Sequence, residues 1–312
     1  MKILFIGNTR LGDAVLSTCI LNYFESKNVE ITVICSPLSH EVYKNFSVVK
    51  NIISLIKKKR GKHWIEAYRA LDNQVWDLII DLRNTIISRL IRKKKVLRFN
   101  ANNKKEHRVE SMCKLIKLDN VISPKLPNIK KINKKALFFL KKNNLVKPIL
   151  ALAPITNWHR KNWPLNNYAK LVNKLIDNKA NFKSIIILGS DNEKEGCEDL
   201  KKKIRLKNVV NFSGQANISE IYCILKNCHI FVGNDSGLMH LAAASGINTI
   251  GLFGPSNEEH YAPWGKKAYF LRTTKTYDEL VLTKSYNRHG KGNLMKSLSV
   301  NKVYKKCIEI IK

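Results

Sequence analysis

With 312 residues, 44% hydrophobic and 8% aromatic, the chain can form two ordinary domains with real cores; it has no apolar run of the roughly 18 residues that span a membrane, and the apolar stretch after Met1 is too short for a signal peptide. Its seven cysteines are odd in number, irregularly spaced and without a C-x-x-C pair, which excludes a disulfide framework or zinc site and points to reduced thiols in the cytoplasm. The net charge of +32 covers both halves, with 30 Lys and Arg against 11 Asp and Glu over residues 1–146 and 26 against 13 over 147–312, so anionic partners are expected, although Lys and Asn are abundant throughout.

Lys2–Ile6 is predicted as the first strand. It leads into Gly7-Asn8-Thr9-Arg10-Leu11-Gly12-Asp13 and a helix over Ala14–Glu25. The spacing G-x-x-x-x-G resembles the start of a P-loop. Asp13 and Ala14, however, stand where Lys and Ser or Thr are needed, and an Asp there repels phosphate, so a P-loop NTPase is rejected. What remains is a carboxylate at a helix start, at the C-terminal edge of the first strand. It reads as a structural cap or as a general base kept ionised by the helix N-terminus.

A second strand (Val29–Cys35), a helix (Pro37–Phe46) and a third strand (Asn51–Ile56) follow. The basic loop Lys57–Lys62, which includes Arg60, reads most simply as a solvated charge run. A helix over Ile65–Gln74 precedes the buried strand Trp76–Leu82, which ends in Arg83-Asn84. Arg89 and Arg92–Lys95 lie on the next helix and turn, Val96–Phe99 is a short strand, and Lys104–Glu110 opens a helix carrying His107 and Arg108. A histidine in such a place is ordinarily structural. Basic residues clustered after the strands suit an acceptor with carboxylates or phosphates, which Arg grips bidentately.

Residues 119–147 form a polar, Pro- and Lys-rich connection with a helix over Lys131–Lys142. The domain boundary is expected at Val146-Lys147-Pro148, giving domains over 1–146 and 147–298 and a final helix within 299–312. The pattern restarts with the strand Ile149–Ala153 and a polar turn carrying Thr156, Asn157 and Lys161, where Lys161 suits a diphosphate or a sugar hydroxyl. After the helix Leu165–Asp177, the strand Ser184–Leu188 ends near Glu193. Glu193 either takes ribose hydroxyls or complements the dipole of a helix over Glu193–Lys203, and the two readings stand level. Val209–Phe212 and Ile218–Lys226 continue the alternation of strand and helix.

The central unit is CHIFVGNDSGLMHLAAASGINTIGLFGPS, residues 228–256: a buried strand, the turn Gly233–Gly237, a helix over Leu238–Ser245 stopped by Gly246, and a second strand, Thr249–Phe253. A helix starting straight after a strand aims unpaired N–H groups at the sheet edge, a ready phosphate site. Asp235 would repel phosphate but accept sugar hydroxyls, so the turn fits a nucleotide-sugar; an ordinary βαβ turn with a capping Asp is the plain alternative. Further on, Tyr286–Asn293 reads as a mobile loop and Val300–Ile311 as an amphipathic helix.

GNDSGLMHLAAASG followed by LFGPS resembles the C-terminal signature of the bacterial heptosyltransferases, glycosyltransferase family 9. The Asp13 turn and the W-x-x-K-x-W-P of Trp158–Pro164 resemble two further family segments, in the right order. The resemblance implies an α/β protein with two Rossmann-like domains facing a cleft (GT-B type), the last helix crossing back onto the first domain. It implies Asp13 as catalytic base, with Gly12, Arg60, Arg83, His107 and Arg108 on the acceptor side. The donor would meet Thr156, Asn157, Lys161, Glu193, Asp235, Ser236, Gly237 and His240. It further implies an inverting, metal-independent transfer from ADP-heptose to a Kdo-containing lipid A core, with no cofactor. The expected partners are the nucleotide-sugar donor, the anionic glycolipid acceptor and the inner face of the cytoplasmic membrane, with the protein a peripheral monomer. The alternatives are a GT-B-like sugar-nucleotide epimerase and a basic nucleic-acid-binding protein, although no nucleic-acid-binding module pattern appears.

Overall fold

The structure is a computed structural model of the chain that describes residues 1–71, 73–100, 105–283 and 286–311. Lys104, expected to open a helix, and Asp72, expected within one, lie outside the described residues. Two compact units emerge, Met1–Pro127 and Asn128–Lys312.

The first unit runs β1 (Lys2–Ile6), α1 (Leu11–Phe24), β2 (Glu30–Cys35), α2 (Pro37–Tyr43), β3 (Val49–Ser54), α3 (Lys62–Leu71), β4 (Trp76–Asp81), α4 (Ile87–Leu90), β5 (Lys93–Arg98) and α5 (Arg108–Leu115). Its sheet is parallel throughout, in the order β3-β2-β1-β4-β5. The inner strands are short apolar, β-branched runs buried on both faces, as crossover helices require. β1 is the strand at which the order reverses, with Ile6 paired to Asp81 at the end of β4. Ligands of doubly wound sheets sit beyond the strand ends at such a switch point.

The second unit runs α6 (Lys130–Lys142), β6 (Ile149–Ala153), α7 (Leu165–Asp177), β7 (Ser184–Ile187), α8 (Lys194–Lys203), β8 (Val209–Asn211), α9 (Ile218–Leu225), β9 (Ile230–Asn234), α10 (Gly237–Ser245), β10 (Asn248–Phe253), α11 (Glu258–Tyr261), β11 (Ala268–Arg272), α12 (Tyr277–Val281) and α13 (Val300–Ile311). The order β11-β10-β9-β6-β7-β8, again all parallel, puts the switch point between β6 and β9. Gly233 is needed there: a Cβ would lie 2.6 Å from the Phe231 ring and 3.0 Å from the Ala153 carbonyl of β6.

Two expectations are corrected. The boundary lies at Pro127–Asn128 rather than near 146, because α6 belongs to the second unit. It buries Ala136 and Leu140, sets Phe139 against Phe212 with ring centroids 3.8 Å apart, and pairs Lys135 with Glu220 at 3.3 Å. The final helix closes on α7 of its own unit: Val303 and Cys307 are buried in that unit's core, and Lys174 of α7 donates to Asn301 at 2.9 Å. Amphipathic patterning names the buried face of a helix but not the surface that covers it.

Candidate functional site

The second unit gathers its polar residues at the switch point. Asn234, the last residue of β9, is fully buried. Its Oδ1 accepts from the Trp163 N–H at 2.9 Å and the Tyr168 hydroxyl at 3.2 Å, and its Nδ2 donates to the Pro154 carbonyl at 2.7 Å. One side chain thus fastens the turn after β6 to the end of β9. Within that turn Thr156 donates from Oγ1 to Asn162 Oδ1 at 2.7 Å, and the same oxygen accepts from the Thr156 N–H at 2.9 Å. These bonds present Lys161, the last residue of a 3₁₀ turn, to the following strand end.

Lys161 Nζ meets Asp235 Oδ2 at 3.1 Å, with the two side chains 17% and 13% exposed. His240 Nε2 lies 3.8 Å from the other carboxylate oxygen. Burial alone would push the Asp235 carboxyl up. The charges of Lys161 and His240 and hydrogen bonds from Ser256 and Lys161 outweigh it, and the group is held below its ordinary value. Asp235 is therefore a carboxylate at neutral pH. The cap of α10 is Ser236, whose Oγ accepts from the Met239 N–H at 3.3 Å, so Asp235 is left to its charged partners. The first intrahelical bond runs from the His240 N–H to the Ser236 carbonyl, which leaves the N–H groups of Gly237 and Leu238 at the open end of the helix. Gly246, at φ +83°, ends α10 as expected.

Two supports of this site carry no sequence motif. Arg272, at the end of β11, grips Glu258 through contacts of 2.6 and 2.7 Å and donates to the carbonyls of Gly254 and Ser256 at 2.9 and 3.1 Å. It thereby sets the turn from which Ser256 reaches Asp235. Arg160, next to Lys161, donates to the carbonyls of Asn287 and Gly292 (3.1 Å for the latter), while Asn293 Nδ2 donates to the Asn162 carbonyl at 2.6 Å. The 286–293 stretch, expected to be mobile, is bound as a strap over the Lys161 turn. Its tie is the buried guanidinium of Arg160, which reads in sequence as one more surface cation.

Other donor-side candidates have plainer places. Thr156 is buried in the turn's own bonds, and Asn157 is exposed on it. Glu193 accepts from the Ser190 N–H at 2.7 Å and completes a capping box with Ser190, so the structure gives it the helix-start role.

In the first unit, α1 begins at Leu11, so Gly12 and the half-buried Asp13 lie in its first turn at the end of β1. The turn before them is braced. The buried Tyr43 hydroxyl bonds Ser17 at 2.9 Å and stands where a Cβ on Gly7 would intrude, and Ser36 donates to the Thr9 carbonyl at 2.8 Å. At the neighbouring end of β4, the buried Asp81 accepts from the N–H of Arg83 at 2.9 Å and from the N–H and hydroxyl of Thr85 at 2.6 and 2.8 Å. Arg83 then lies over the Trp64 ring, 5.2 Å from its centroid. Asp13 and Arg83 thus rise from adjacent strand ends.

Arg60 is exposed on a 3₁₀ turn away from the switch point, at the end of the outermost strand. His107 is the N-cap of α5, its Nδ1 accepting from the Val109 N–H at 3.2 Å, and it is buried. Arg108 lies over Phe99, 5.5 Å from the ring centroid. Among the described residues no three His, Cys, Asp or Glu side chains are grouped to hold a metal ion.

Two doubly wound parallel units, each with polar residues at its switch point, define an α/β protein of the two-Rossmann-domain class. Comparison narrows the class: residues 51–288 match Glycosyltransferase family 9 (heptosyltransferase), and the chain belongs to that family. It is thus a glycosyltransferase, in place of the epimerase and nucleic-acid-binding alternatives. A lipooligosaccharide heptosyltransferase 2 of Campylobacter jejuni is 29% identical over 280 residues, 85% of this chain and 84% of that protein. One from Haemophilus influenzae is 30% identical over 148 residues, a match spanning 46% of this chain and only 41% of that protein's length. In fold, the structure of E. coli ADP-heptose LPS heptosyltransferase II superposes with a TM-score of 0.77 at 18% identity, covering all of this chain and 98% of the other.

Proposed function

We propose that the protein transfers a heptose from ADP-heptose to the Kdo-containing inner core of a lipopolysaccharide precursor, inverting the anomeric centre without a metal ion. The observation that carries this reading is the Lys161–Asp235 pair at the open end of α10, at the switch point of a family 9 chain. A carboxylate and an ammonium 3.1 Å apart suit neutral hydroxyls, each donating to Asp235 and accepting from Lys161. The diphosphate is then left to the helix N–H groups, where its charge is favoured. Relatives of both chains' length are heptosyltransferases of lipooligosaccharide, and the E. coli neighbour is an ADP-heptose enzyme, which supports the choice of sugar and base.

In this reading Asp13 removes the proton from an acceptor hydroxyl as its oxygen attacks the anomeric carbon. The bond to the diphosphate oxygen breaks, and ADP leaves with the bonding pair. The helix N–H groups and Lys161 offset the charge that develops on it. Arg83 is the first unit's candidate for the acceptor's acidic groups. No cofactor is required, the enzyme acts as a monomer in the cytoplasm, and it works on an acceptor held in the inner membrane.

The test is acceptor-dependent ADP release from ADP-heptose with Kdo-lipid A, with and without chelator. Release that persists in chelator supports the reading. No release with ADP-heptose, together with binding of another nucleotide-sugar, overturns the heptose assignment.

A further inference from the structure

We infer that the strap of residues 286–293 is the cationic half of a diphosphate site, its Arg288 and Lys291 contacting a nucleoside diphosphate held at the open end of α10. The strap is fixed to both neighbours of Lys161. On one side Arg160 donates to the Asn287 and Gly292 carbonyls, and on the other the Asn162 carbonyl accepts from Asn293 Nδ2 at 2.6 Å. The Trp158 indole N–H donates to the Arg288 carbonyl at 3.1 Å, and the Arg288 guanidinium lies over the same ring, 5.0 Å from its centroid. The Trp158 carbonyl in turn accepts from the Lys161 N–H at 3.1 Å. Arg288 is thus held one short turn from the Lys161–Asp235 pair. Lys291 stands exposed between Gly290 and Gly292. A Cβ on Gly290 would lie 3.2 Å from Arg160 Nη1, and Gly292 has φ +102°, so the chain approaches its anchor closely and turns there as only glycine readily does.

Charge decides what this strap can hold. The cations of the cradle itself are already matched. Lys161 faces Asp235 at 3.1 Å, Arg272 faces Glu258 at 2.6 Å, and Arg160 is buried with its N–H groups on strap carbonyls. The two ion pairs cancel, and the Asp235 carboxylate opposes any anion set beside it. A helix N-terminus contributes only about half a positive charge. A diphosphate, with two negative charges, therefore needs cations from elsewhere. The strap, Tyr-Asn-Arg-His-Gly-Lys-Gly-Asn, contains no acid. Its Arg288 and Lys291 are exposed, and no ion pair among the described residues engages either. Two positive charges at the rim of the cradle complement two phosphates, with a planar fork on one and a point charge on the other. The inference deepens the proposed function: it rests on the donor site at the second switch point, and on neither the heptose nor the acceptor.

The experiment is titration calorimetry of the full-length protein with ADP. Arg288→Ala with Lys291→Ala should weaken ADP at least tenfold, about the effect of one charge-assisted hydrogen bond, and should flatten the dependence of affinity on salt. The strap is tied through the backbone carbonyls of Asn287, Arg288 and Gly292, so this variant keeps its anchors. Arg288→Lys with Lys291→Arg keeps both charges and should stay within about threefold of the parent. Lys179→Ala with Lys183→Ala removes as much exposed charge just before β7, at the opposite edge of the same sheet. It should change affinity less than about twofold, because screening over about 8 Å at 0.15 M salt hides distant cations. ADP affinity within twofold of the parent in the Arg288/Lys291 alanine variant overturns the inference. An equal loss in the Lys179/Lys183 variant overturns it too, since the general field of the protein would then be responsible. No ADP binding by the parent overturns it together with the proposed donor. Strap-dependent ADP binding, with no acceptor-dependent ADP release from ADP-heptose, would refute the proposed reaction and leave the strap's role standing.

Discussion

The two switch points are built alike and finished differently. In each, the last residue of the strand beside the reversal is a buried polar side chain that serves the backbone: Asp81 after β4, Asn234 after β9. Asp81 keeps its bonds within its own turn and leaves Arg83 turned out over Trp64. Asn234 reaches across to the neighbouring turn and so fixes Lys161 against Asp235. The second unit holds a finished polar cradle, with partners on every side. The first offers one acid in the first turn of a helix and a guanidinium on a neighbouring loop. In the proposed function the cradle takes the donor, and Asp13 takes the proton of the acceptor hydroxyl.

The sharpest way to break this contrast is Asp13→Asn. If Asp13 is the base, transfer should fall by about 10² to 10⁴-fold while ADP-heptose affinity and thermal stability stay as they were. Equal loss of donor binding, followed by calorimetry, would assign Asp13 to the donor and undo the division of labour between the units.

Lys161→Ala comes next. It should weaken donor binding tenfold or more and destabilise the unit by about 1–3 kcal/mol, since a largely buried carboxylate loses its closest partner. Its pH dependence carries a sign. In the parent protein the Asp235 carboxyl is held below its ordinary value, so its contribution to stability is complete above the unfolded value of about 3.9 and is lost as acid takes the pH down through the folded value. Without Lys161, burial is the largest remaining influence and raises the group. The variant should then be penalised more at pH 7.5 than at pH 4.5. Melting temperatures of both proteins at the two pH values check this, and a penalty that shrinks toward neutral pH would show that Asp235 does not depend on Lys161.

Much of this was legible in the chain. Short β-branched runs separated by helix-length segments give the parallel sheets, and each special turn stands where a strand ends. Asp13, Lys161 and Asp235 are readable because each sits in an unusual local string at such an end. The fastenings are not readable, because hydrogen bonds across 66 to 80 residues, such as those of Asn234, leave no local trace. Arg160 and Arg272 look like two more cations among 56 Lys and Arg, yet both are buried or nearly so and serve backbone carbonyls. His107 shows the converse: its residue type suggested chemistry, while its place before Glu110 made a capping box.

Asn234→Leu tests the fastening itself. It strips partners from the Trp163 N–H, the Pro154 carbonyl and the Tyr168 hydroxyl together, so unfolding of the second unit should cost about 2–4 kcal/mol less. A melting temperature within a degree of the parent would mean that the turn holds without it, and that the two switch points differ less than their hydrogen bonds suggest.

The smallest effect is the most discriminating for the cradle's extent. Glu193 is bound in a capping box, and Gln can keep the same bond to the Ser190 N–H. If capping is its whole role, Glu193→Gln should change stability by less than about 0.5 kcal/mol and leave ADP-heptose affinity within twofold. Glu193→Ala should cost about 1 kcal/mol of stability, again without a specific loss of donor. If instead the carboxylate also receives ribose hydroxyls, Glu193→Gln alone should weaken the donor by tenfold or more at unchanged stability, because a charged acceptor is lost while the cap survives. Titration calorimetry with ADP separates the two. A loss confined to affinity would extend the cradle from the ends of β6 and β9 to the end of β7, one strand further from the switch point.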